Sequence, residues 1–130
     1  MSDEIVALVR DGFARLERDG APDLELLDPE IELLNFDSFP VTRPYHGWDG
    51  VAQWFADMSE PFDAFRFELV EVLADDDERV VTTLRAHGES RTGGPSFELV
   101  WAAIWTFQDG KVRRIQGLRT PEEALNAAGL

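Results

Sequence analysis

The chain has no cysteine, only two histidines and one tyrosine, and 12 Lys and Arg against 26 Asp and Glu over its 130 residues. Without cysteine there are no disulfides, no thiolate metal ligands and no cysteine nucleophile, and the expected compartment is the cytoplasm. His46 and His87 lie far apart with no ligand-like neighbour at helical spacing, so neither a metal nor another cofactor is expected. The shortage of bases leaves a net charge of −14, spread along the chain. That surplus repels phosphate backbones and anionic membrane surfaces, so no nucleic acid is expected as a partner. No apolar run approaches the roughly 18 residues that a membrane span requires, and none is expected. The first stretch, MSDEIVALVRDGF, is acidic and amphipathic rather than basic and then apolar, so no signal is expected either.

What the chain does have is one domain's worth of patterned sequence, residues 1–130, with no linker or repeat. Ile5, Leu8, Val9, Phe13 and Leu16 recur at three- and four-residue steps up to Gly20, an amphipathic helix with Asp3 and Glu4 at its positive end. A short helix is expected after Pro22, with Leu24 and Leu27 facing inward and Asp28-Pro29 as its stop. A strand follows over 30–36, then a proline-containing loop to Gly47. A helix over 48–60 places Val51, Trp54, Phe55 and Met58 on one side.

The remainder reads as sheet. Strands are expected over 65–74 and 79–90, and then over 97–107, where Phe97, Leu99, Trp101, Ala103, Trp105 and Phe107 alternate with smaller residues. Pairing Ser90 with Phe97 sets Leu84 beside Ala103 and Ala86 beside Trp101. The opposite face, carrying Val100, Ala102 and Ile104 with Arg85 and His87, also needs cover, and a second copy of the chain is expected there. The last strand has two registers. A two-residue turn at Asp109-Gly110 pairs Phe107 with Val112 and turns Val112, Arg114, Gln116 and Leu118 to the aromatic face. A glycine bulge at Gly110 pairs Phe107 with Lys111 and turns Ile115, Gly117 and Arg119 there instead. The bulge is the better fit, because it sets the small Gly117 opposite Trp101. Thr120-Pro121-Glu122 caps a last helix through Ala128, with Gly129 as its stop.

This order of elements, with YHGWDGVAQWF before the long strands and WTFQDGKVRRIQG near the end, resembles the nuclear transport factor 2-like superfamily. Within it, the SnoaL-like proteins are the best match, up to the closing EEALNAAGL. The resemblance implies an α+β, cone-shaped fold in which a curved, mostly antiparallel β-sheet wraps around about three to four helices. It also implies an interior pocket and a homodimer through the outer sheet face. The superfamily includes isomerases, cyclases, dehydratases, epoxide hydrolases and non-enzymatic binders, so it does not name an activity.

Two kinds of site follow from the resemblance. In a ketosteroid-isomerase-like site, the tyrosine donor falls on Phe13 and the acid donor on Ala103, so both donors are gone. The base falls between Asn35 and Ser38, where the sole carboxylate is Asp37. A SnoaL-like, cofactor-free acid–base site would use Asp37 with His46, aided by Arg119, which the bulge register turns into the pocket with Asp37 as its nearest partner and which is equally readable as a solvent-facing arginine at a strand end. Asp37 beside Ser38 is equally good turn chemistry, and His46-Gly47 equally a helix start. The expected ligand contacts are Phe13, Asn35, Trp54, Trp101, Ala103 and Trp105, for a small hydrophobic or aromatic molecule; the same aromatics also suit a plain core. A cofactor-independent isomerase, cyclase or lyase and a non-catalytic binding module both remain open.

Overall fold

The computed structural model describes residues 2–41 and 43–130, and of Ser2 the backbone alone. Helix α1 (Ser2–Asp19) is followed by a 3-10 turn (Leu24–Leu26), strand β1 (Leu27–Leu34), the two-residue strand β2 (Tyr45–His46) and helix α2 (Gly47–Ser59). Strands β3 (Phe62–Asp75), β4 (Arg79–Ser90), β5 (Phe97–Gln108) and β6 (Lys111–Leu118) come next, and helix α3 (Pro121–Ala128) closes the chain. One six-stranded sheet has the order β2-β1-β6-β5-β4-β3, antiparallel except where β1 runs parallel to β6. Register shifts at three places in β3, and one between β5 and β6, bend and twist the strands. The result is the expected α+β arrangement, a curved sheet with α1 and α2 laid against its concave face.

The core on that face joins the stripe of α1 (Ile5, Val9), the inner side of α2 (Val51, Trp54, Met58) and the alternate residues Trp101, Ala103, Trp105 and Phe107 of β5. A second, smaller core lies on the convex face, where Ala124 and Ala128 of α3 cover Val81, Ala102 and Ile104. This corrects the expectation that a partner subunit would cover Ala102 and Ile104. Thr120 accepts a hydrogen bond from the Glu123 N–H and Gly129 closes the helix in the left-handed conformation, so the last eight-residue helix folds back over its own sheet.

Other boundaries differ for local reasons. Residues 28 and 29 lie inside β1 rather than ending a helix. The register with β6 shifts between Leu27 and Glu32, which spares Pro29 a ladder donor, and Asp28 accepts the Glu30 N–H at 2.7 Å. Leu24 is exposed, and its neighbour Leu26 turns inward in its place. β4 and β5 pair Gly88, not Ser90, with Phe97. The slip is two residues, so every side chain keeps its expected face.

The β5–β6 connection combines both registers considered above. Asp109 and Gly110, with φ of 53° and 79°, form the two-residue turn that pairs Phe107 with Val112. A bulge then absorbs Arg113, so Thr106 pairs with Arg114 and Ala103 with Gly117. Val112, Ile115 and Gly117 all reach the concave face as a consequence.

Candidate functional site

Between α1, the 3-10 turn, α2 and the concave sheet is a cavity of about 100 Å³. Its wall is apolar and aromatic. Phe13 meets Trp105 edge-on at 5.7 Å and Phe67 at 5.1 Å; Phe67 stacks on Trp101 at 5.6 Å with an interplanar angle of 10°. Trp54 of α2 packs on Phe67 at 5.2 Å with the rings tilted by 57°. Edge-to-face and offset pairs of this kind hold rings in fixed planes, which makes the wall stiff.

Polar groups reach the wall at few points. The Asn35 side chain is held at both ends: its Oδ1 accepts from Trp54 Nε1 at 3.3 Å and its Nδ2 donates to the Arg43 carbonyl at 3.3 Å. Asp23, at the start of the 3-10 turn, accepts the Glu25 N–H and is ion-paired with Arg15. No lysine, arginine or histidine among the described residues lines the cavity. Among the same residues no group of three acidic or histidine side chains is placed to hold a metal ion.

Five of the six expected ligand contacts line this space: Phe13, Asn35, Trp54, Trp101 and Trp105. Ala103 is fully buried in the sheet beneath it and is not part of the lining. Asp37, His46 and Arg119 do not line the cavity either, and no hydrogen bond or ion pair joins them among the described residues. Asp37 is exposed on the loop after β1. His46 points outward from β2, with Nε2 3.1 Å from Glu30 Oε2. Arg119 lies just past the end of β6, where its guanidinium is 3.8 Å from Glu123 and sits over the Phe36 ring at 5.8 Å. The expected partner, Asp37, is replaced by a carboxylate one helical turn into α3.

The loop that carries Asp37 closes over the aromatic cluster. Phe39 is buried, packing at 5.1 Å from Trp101 and 6.2 Å from Trp54. A polar clasp ties the loop's far end to α2: Asp57 accepts from Tyr45 Oη at 2.6 Å, Arg43 at 2.9 Å and Gln53 at 2.7 Å. The Tyr45 hydrogen bond, first among these, holds the Asp57 carboxyl below the usual carboxylate range, while burial raises the Tyr45 phenol.

Sequence reasoning missed Phe67, Leu26 and Asp23 as wall residues. Phe67 carried a signal, as one of three phenylalanines at alternate or near-alternate positions in 62–67. Asp23 carried only its cap chemistry, and nothing in Leu26 set it apart from its neighbours.

The fold and the cavity together define a cone-shaped α+β protein, and solved structures share that architecture over nearly the whole chain. A nuclear transport factor 2-like protein of Burkholderia thailandensis E264 superposes with a TM-score of 0.76 at 24% identity, covering 100% of this chain and 98% of its own. Bal32a, from a soil-derived mobile gene cassette, gives 0.77 at 19% identity, with coverages of 97% and 96%. TerC, co-crystallised with polyporic acid, gives 0.72 at 18% identity, with coverages of 95% and 98%. No curated protein matches the chain by sequence. The family model described as the SnoaL-like domain matches residues 7–115, and the chain belongs to that family. No helix among the described residues is long and apolar enough to cross a membrane.

Proposed function

We propose that this SnoaL-like protein binds a small, flat, largely apolar molecule in the cavity between α1, α2 and the sheet. The observation that carries the reading is the wall itself, which presents Phe13, Trp54, Phe67, Trp101 and Trp105 to one space. A volume of about 100 Å³, against the roughly 150 Å³ of an engineered apolar cavity that holds benzene, leaves room for at most a single ring. TerC supports the reading as a protein of the same fold crystallised with a small molecule. Cofactor-free proton transfer as an isomerase, cyclase or lyase is the less supported alternative, since Asp37, His46 and Arg119 all stand outside the lining.

Tryptophan fluorescence titrated with neutral single-ring aromatics tests the binding reading. Gly12 lines the cavity from α1, so Gly12→Leu is expected to fill it and abolish the quenching while the helix is retained. Binding that survives Gly12→Leu unchanged places the ligand elsewhere.

We further infer that a second copy meets this one on the part of the outer face that α3 leaves open. Val100 is 49% exposed there, beside a ladder in which Arg85 pairs with Glu98 at 2.7 Å and His87 with Glu68 at 2.8 Å. Light scattering at micromolar concentration is expected to give two subunit masses, falling to one in Val100→Glu. One subunit mass for the unmodified protein refutes the dimer.

A further inference from the structure

Each of the four tryptophans has one indole N–H to satisfy, and in three the chain supplies the acceptor. Trp48 donates to the Leu27 carbonyl at 2.9 Å, Trp54 to Asn35 at 3.3 Å and Trp105 to Thr82 Oγ1 at 2.8 Å. The fourth, Trp101, donates to no described residue, although its side chain lies on the cavity wall and the residue is only 4% exposed. No buried side-chain nitrogen or oxygen among the described residues is both sealed off and unpaired, so Trp101 Nε1 keeps access to open space. Gly117 borders that space: a Cβ built on it would stand 3.4 Å from the Leu34 carbonyl oxygen and 3.7 Å from both Cδ1 and Nε1 of Trp101, and Gly117 lines the same cavity. An indole N–H that faces a cavity and has no acceptor within the protein is a free donor, and a ligand oxygen can take it up.

We infer that the Trp101 indole N–H is the cavity's hydrogen-bond donor, and that the ligand is a neutral single-ring molecule bearing one acceptor oxygen, of the aryl ketone or ester class. This rests on the proposed cavity-binding function and adds to it the chemistry of the ligand. Neutrality follows from the wall. No cationic side chain among the described residues lines it, and the one carboxylate there, Asp23, already holds Arg15. A carboxylate ligand would enter an apolar space without a counter-ion, against a net charge of −14. The other polar wall group, Asn35, has its carbonyl oxygen occupied by Trp54 and its amide nitrogen directed to the Arg43 carbonyl at 3.3 Å.

Acetophenone, its near-isostere cumene and benzoate separate these claims. Binding to the full chain is followed by calorimetry, and the Trp101 indole resonance by ¹H–¹⁵N NMR, assigned through its NOEs to the Gly117 α-protons. Acetophenone is expected to shift that resonance well beyond the change cumene causes. Trp101→Phe is expected to weaken acetophenone relative to cumene by about fivefold, the worth of one net hydrogen bond. The NMR comparison decides on the unmodified protein if the variant does not fold. If both neutral compounds bind but move the indole resonance alike, the donor role is overturned and cavity binding stands. Benzoate binding as tightly as acetophenone overturns the neutral class. If none of the three binds, the cavity reading fails, and this inference with it.

Discussion

Thr82→Val tests how tightly the aromatic wall is held. Thr82 is fully buried on the concave face of β4, and its Oγ1 is the acceptor for Trp105 Nε1 at 2.8 Å. Valine keeps the shape and removes the oxygen, so the indole N–H of a buried tryptophan is left without a partner. Leaving a buried donor unmet costs about 1–3 kcal/mol, while the added methyl returns on the order of 0.8 kcal/mol, for a net loss of about 0.2–2 kcal/mol. At roughly 2.1 cal/mol/K per residue, the unfolding entropy of a chain this long makes each kcal/mol about 4 °C of Tm. Calorimetry is therefore expected to show a fall of about 1–8 °C.

Part of that fall has an independent check, because Thr82→Val in a Trp105→Phe background removes an acceptor that no longer has a donor. The substitution is expected to cost at least about 1 kcal/mol less there than in the unmodified chain, a coupling of the size direct contacts show. Equal costs in the two backgrounds would refute the reasoning, and the Trp105 ring would then be held by packing alone.

Other expectations follow from the same contacts. Ile104→Glu places a charge beneath α3, among Val81, Ala124 and Ala128, and is expected to cost about 3 kcal/mol or more in urea unfolding and to open trypsin cleavage after Arg119; dissociation of a dimer at unchanged stability would contradict the role assigned to α3. Gly12→Ala is expected to stabilise by about 0.5–1 kcal/mol, since the new methyl meets only Leu26 Cδ1 at an ordinary 3.5 Å and a glycine leaves the helix interior. The Asp57 carboxyl is depressed in the folded state by Tyr45, so its stabilisation is complete above the unfolded carboxylate value of about 3.9 and is lost as pH falls through the lower folded value. Asp57→Asn is accordingly expected to flatten the acid limb of the stability curve, and an unchanged acid limb would dissociate the clasp from acid sensitivity.

The long strands were legible because their patterning is redundant. In β5 six consecutive inward positions are apolar, so a two-residue error in pairing with β4 moved no side chain to the wrong face. β2 was not legible. Two residues carry no period, and Tyr45-His46 becomes a strand only because β1 presents Leu33 and Glu32 to pair with them. The fate of the outer face was hidden for a different reason. Ala124 and Ala128 are too small to announce a packing surface, yet their smallness is what lets α3 approach Ala102 and Ile104 closely. Sequence alternation marked a face that required cover, and could not say whether the cover came from eight more residues or from another chain.

The same contrast separates the wall from the residues proposed as acid and base. Phe13, Trp54, Trp101 and Trp105 sit on helices and strands whose period fixes their direction, and all four reach the cavity. Asp37, His46 and Arg119 sit where regular structure begins or ends, and there a side chain follows whichever partner is nearest: Glu30 for His46, Glu123 and the Phe36 ring for Arg119. A motif that matches by position therefore carries direction only when the matched residue lies within a helix or strand. Trp101 meets that condition, and its open N–H offers a ligand the polar contact that the motif-matched residues, from their places outside the wall, do not.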